Sequence, residues 1–137
     1  MLVLTVIVAV AVATASAGST PTPVLSGVAT MPDGVGGGLP DSKGFGRAKP
    51  GEIFLGGDES GLACHIAWTS WGGQFAVGTG TSWYIGPYEG TSQGHQAPAV
   101  IVLYHLATWH SRPAYTRFNW YFPQGGSTYG GVSHCSA

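Results

Sequence analysis

Gly72-Gly73, set between two stretches of alternating bulky and small side chains, constrains this chain more than any other feature. Two adjacent glycines supply the positive φ angles of a two-residue hairpin turn, so Leu62 to Ile85 is predicted to double back as an antiparallel pair. The turn then sets the register: Trp71 opposite Gln74, Ser70 opposite Phe75, Trp68 opposite Val77, Ile66 opposite Thr79, Cys64 opposite Thr81 and Leu62 opposite Trp83. With a side-chain period of two, Leu62, Cys64, Ile66, Trp68, Phe75, Val77 and Trp83 share the face expected to be buried. Ala63, His65, Ala67, Thr69, Trp71, Ala76, Gly78, Gly80, Ser82 and Tyr84 share the other.

The following segments read as strands too. Ala97 to Leu106 is almost unbroken apolar sequence and is expected to be a central strand covered on both faces. Tyr115 to Phe122 places Phe118, Trp120 and Phe122 on one side and Arg117, Asn119 and Tyr121 on the other, and Pro123 ends the pairing. Gly86 to Gln96 and Trp109 to Pro113 are the expected connections, and Glu52 to Gly57 reads as an extra edge strand. No segment of ten residues beyond the N-terminal apolar run has helical periodicity. The predicted fold is therefore all-β, four to six antiparallel strands in a small sandwich or partly closed barrel.

Composition divides the chain into three. Leu2 to Ala13 holds one polar side chain, Thr5, and leads into Thr14-Ala15-Ser16-Ala17, an A-x-A pattern that predicts a signal peptide over residues 1–17. The run is shorter than the roughly 20 residues that cross a bilayer, so no stable transmembrane segment is expected after cleavage, and the destination is the cell envelope or the outside. Residues 18–51 contain 14 Pro or Gly among 34 and read as a flexible linker with little to bury. Residues 52–137 read as the β-domain; 14 of the 16 aromatics lie from Leu62 onward, where the charges reduce to Glu89, Arg112 and Arg117. Five Lys and Arg in all, with a net charge of −1, cannot supply the cationic footprint that nucleic acid demands.

In an exported domain, Cys64 and Cys135 are expected to form a disulfide, which the loop-entropy model values at about 4 kcal/mol. Two buried thiols, or bonds to other chains, are the alternatives. No zinc site is expected, because neither cysteine belongs to a C-x-x-C pair and His65 and His134 are merely adjacent to them.

Trp68-Thr69-Ser70-Trp71-Gly72-Gly73, Gly78-Thr79-Gly80-Thr81 and Trp120-Tyr121-Phe122-Pro123 together resemble a group of small secreted proteins of mycobacteria and related actinobacteria. The resemblance spans about Leu62 to Cys135 and implies export and a shared β-domain, with no activity attached. Members often carry a cysteine near the position of Trp109, which resembles the partner of the near-terminal cysteine; this chain has Cys64 instead.

The chemistry available is sparse. A glycosidase needs two carboxylates, and only Glu89 lies beyond Leu62. No G-x-S-x-G is present, and Gly78-x-Gly80 lacks the remaining features of a phosphate loop. The five histidines, His65, His95, His105, His110 and His134, are not spaced as metal ligands, and no metal or cofactor is expected. The alternating glycines are more informative, since they leave a bare strip on which a ring can lie. Either a neighbouring aromatic fills it as packing, or it is a platform walled by His65, Trp71 and Tyr84 for a glycan or an apolar small molecule. The leading expectation is a secreted, non-catalytic binding domain with that site. A small hydrolase using Glu89 with a histidine, and a surface interaction protein without a pocket, are the alternatives.

Overall fold

The computed structural model describes residues 17–56 and 61–123. The expected signal peptide, apart from Ala17, lies outside them, as do Asp58, Glu59, His134 and Cys135. The chain is all-β. Six strands, β1 (Val24–Thr30), β2 (Ile53–Phe54), β3 (Leu62–Ser70), β4 (Ala76–Tyr84), β5 (His95–Trp109) and β6 (Arg112–Tyr121), form one sheet in the order β1-β6-β5-β4-β3-β2. The sheet curls into a half-barrel. It is mixed, because β1 runs parallel to β6 while the other pairs are antiparallel, and its residues do not divide into the two sheets of a sandwich.

The expectation of a flexible linker over residues 18–51 is overturned. β1 lies inside that range and buries Val24, Leu25 and Ala29, and Met31 just after it is buried too. Farther on, Lys43 exchanges both backbone hydrogen bonds with Phe54 of β2, at 2.9 and 3.1 Å, and Arg47 O accepts from Leu25 N of β1 at 2.9 Å. Gly46 N donates back to Leu25 O. Lys43–Arg47 is thus a clasp that joins the two outer edges of the sheet. Phe45, midway along it, meets Phe118 of β6 edge to face at 5.6 Å. Pairing also removes the exposed edges that would otherwise invite other chains. Glycine is required in the clasp: Gly44 holds φ +87, and a Cβ there would collide with Glu52 O.

The β3–β4 hairpin exists, but its turn is not the predicted two-residue one. Ser70 pairs with Val77, so the connection runs through Trp71 to Ala76. The predicted register holds at Cys64–Thr81 and is lost nearer the turn through two β-bulges, the first marked by His65 at φ +52. Bulging releases Ile66 N to Gly51 O (2.9 Å) and turns the Trp68 indole to Pro50 O (2.8 Å), so β3 gains partners in the clasp's continuation.

The bulge also reassigns the faces. Ala76, Gly78, Gly80 and Ser82 of β4 face inward beside Leu103, Ile101, Ala99 and Ala97 of β5. Phe75, predicted to be buried, is 51% exposed. Small residues line this wall because large ones fill the space from the opposite side: Phe118 and Trp120 of β6 and Phe122 just after it, with Ile66 and Trp68 of β3. A Cβ at Gly78 would lie 2.9 Å from both Ile66 and Trp68. The glycine strip is therefore packing and not a ligand platform. The Trp120 indole N–H, inside this core, has no protein acceptor among the described residues.

β5 is central as expected but covered on one face, with Val100 and Val102 half-exposed on the other. A genuine two-residue turn occurs at His110-Ser111, where both residues have positive φ (47° and 60°) and Trp109 pairs with Arg112. β2 supplies the expected edge strand. Cys64 is buried and no free cysteine occurs among the described residues; its predicted pairing with Cys135 lies outside them.

Candidate functional site

The three residues predicted to wall a platform are not brought together. Trp71 and Tyr84 stand at opposite ends of the β3–β4 hairpin. Trp71 packs edge to face on Trp68 (4.8 Å) and Tyr115 (5.5 Å), and its indole donates to Pro23 O at 3.0 Å. Tyr84 packs against Phe122 and His95. His65 is turned outward by its left-handed backbone and faces a separate cleft.

Histidine usage follows the backbone. Three of the four described histidines, His65, His105 and His110, occupy positive φ, a region that histidine enters more readily than most non-glycine residues. Among the described residues no three His, Cys, Asp or Glu side chains gather as a metal site would require. Glu89 accepts Gly86 N–H at 2.8 Å and so holds the turn in which it sits.

One concavity lies at the hairpin end. A depression of about 620 Å³ is lined by Gly72, Gly73, Gln74, Phe75, Tyr104, His105 and Leu106. A smaller one of about 350 Å³ adjoins it, shares Gly72 and Leu106, and is lined further by Trp71, Pro113, Lys49 and residues 20–23. Phe75 and Leu106 are 51% and 41% exposed. An aromatic and an aliphatic side chain left this open beside a concavity are a surface that water covers poorly.

Both walls of the larger depression are hydrogen-bonded to residues of β6. The Tyr115 hydroxyl donates to Gly73 O at 2.8 Å and accepts from Gly72 N at 3.0 Å, which pins the turn to β6. Burial raises the pKa of this phenol, and the hydrogen bond from Gly72 works in the opposite direction. On the other wall, Thr116 Oγ1 donates its one proton to His105 O at 2.9 Å. His105 Nδ1 lies 2.6 Å from the same oxygen and must therefore be the donor to it, which leaves Nε2 of the neutral ring as an acceptor. None of the residues lining this depression carries a formal charge. It offers exposed ring surface, the Gln74 amide, the Tyr104 hydroxyl and an imidazole acceptor.

Sequence reasoning missed Phe75, Tyr104 and His105. Phe75 was assigned to the buried face by a register that the bulges change, and Tyr104 sat inside an apolar run. The available signal was Phe75 itself, a large ring two residues after a Gly-Gly pair. No protein-family model, curated protein or solved structure matches the chain.

Proposed function

We propose that the chain is a non-catalytic binding domain acting outside the cytoplasm, and that it takes a neutral saccharide at the hairpin end. The carrying observation is the depression lined by aromatic and neutral polar residues, whose two walls are each tied to β6 by a hydroxyl, that of Tyr115 on one side and that of Thr116 on the other. The C–H face of a pyranose presents weakly positive hydrogens to the negative face of an aromatic ring. Gln74 and His105 are then available to its hydroxyls, as an apolar site with a few placed polar groups requires. The Tyr115 hydrogen bonds to Gly72 and Gly73 hold the loop half of this site in place, which lowers the ordering cost of binding. The export expectation fits a ligand of this class, since the leader pattern of residues 1–17 sends the domain to where envelope glycans are. A hydrolase built on Glu89 gains no support from the geometry, because that carboxylate closes its own turn.

Titration with a panel of neutral oligosaccharides, followed by amide chemical shifts, tests this. Saturable shifts are expected at residues 72–75 and 104–106. Phe75→Ala and Tyr104→Ala should each weaken binding by about tenfold, the loss expected for one stacking contact. Thermal stability should be nearly unchanged for Phe75→Ala, since that ring is exposed. Shifts elsewhere only, or affinities unmoved by both substitutions, would refute the site.

A further inference from the structure

The clasp carries charge out of proportion to its length. Of the five Lys and Arg in the chain, Lys43, Arg47 and Lys49 fall within seven residues. Lys43 and Arg47 rim an open cleft of about 800 Å³ between the clasp and β3, and His65 faces it from the bulge. Phe45 and Ile66 contribute apolar lining. Among the described residues Glu52 is the one acid on the rim, and it lies 3.3 Å from Lys43 Nζ, which uses one of three ammonium donors. Neither the Arg47 guanidinium nor the His65 ring has a hydrogen-bond or ionic partner among the described residues.

We propose that this cleft is a second binding site, for the phosphate group of a soluble ligand. Three side chains with N–H donors line it, Lys43 and Arg47 on the clasp and His65 on β3. A phosphate monoester has three terminal oxygens to meet them, whereas a carboxylate has two. Arginine's planar fork can take two of those oxygens at once. The backbone at His65 demands a left-handed residue, and asparagine or aspartate would serve it as well; histidine alone of the three adds an imidazole, whose ring N–H can donate to an anion. Because the site shares no residue with the hairpin-end depression, failure of the saccharide reading leaves it untouched.

The test is titration of the intact chain with inorganic phosphate and with glucose 6-phosphate at low salt in a phosphate-free buffer. Saturable amide shifts at residues 43–47 and 65–66 are expected, with glucose alone producing none there. Arg47→Ala and His65→Asn should each weaken both ligands by about tenfold, the loss of one charge-assisted hydrogen bond. Asparagine retains the left-handed backbone, so the second variant stays folded. Added sodium chloride should weaken binding as exposed charges are screened. Absence of saturable shifts, or equal affinity in wild type and both variants, would overturn the proposal.

Discussion

A chain that starts at Glu52 is expected to show no cooperative unfolding transition, although it retains five of the six strands. Such a chain lacks Val24, Leu25 and Met31, each at most 3% exposed, and Phe45, which packs on Phe118. Burying three such aliphatic side chains is worth roughly 5–9 kcal/mol, and the whole stability of a small domain is about 5–15 kcal/mol. The loss is also topological. Without β1 and the clasp, β6 and β2 become open edges, and the ring face of Phe118 is uncovered. Calorimetry or a denaturant titration checks this; a linker, by contrast, could be removed with no change in midpoint.

Gly80→Ala is expected to destabilise the fold by about 3 kcal/mol, at the upper end of what overpacking ordinarily costs. A Cβ at that position would lie well inside van der Waals contact of the Cys64 carbonyl oxygen, and the next neighbour is Ile66 at 3.3 Å. Backbone cannot rotate away as a side chain can, so β3 and β4 must separate where the first bulge already strains the ladder. The adjacent Thr79→Ala change lies on the exposed face and should stay within about 0.5 kcal/mol of wild type. Equal stability of the two variants would mean that the glycine strip faces solvent after all.

The legible parts of the fold are those where side-chain size and burial agree. Phe118, Trp120 and Phe122 alternate with Arg117, Asn119 and Tyr121, and a period of two with that contrast has one reading. On β4 the same rule misleads, because Ala76, Gly78, Gly80 and Ser82 are small precisely where rings from β3 and β6 need room. Apolar bulk marks the core only when the facing wall is not already supplying it. The turn failed for a related reason: Gly72-Gly73 is shaped by the Tyr115 hydroxyl, 42 residues away in sequence, and not by local hairpin geometry. Proline and glycine content likewise describes residues 18–51 as loosely built. It says nothing of whether their backbone groups have partners, and Lys43, Gly46 and Arg47 do.

The candidate site was legible only in kind. An aromatic-rimmed surface near the hairpin was anticipated, and Trp71 does border it, through the smaller of the two depressions. Tyr84 belongs to the core at the far end, and His65 belongs to the clasp cleft. A left-handed histidine in the middle of a strand has no counterpart in period-two reasoning, which named His65 but placed it on the wrong surface and gave His105 no role.

Amide hydrogen exchange of the clasp tests the central claim most directly. Leu25, Lys43, Gly46 and Phe54 donate the four backbone hydrogen bonds that join the clasp to the sheet edges. Their amides should exchange orders of magnitude more slowly than an open chain, within reach of the protection seen in β5 and β6. Exchange of these four at open-chain rates, while β5 and β6 remain protected, would contradict a half-barrel whose outer edges the clasp joins.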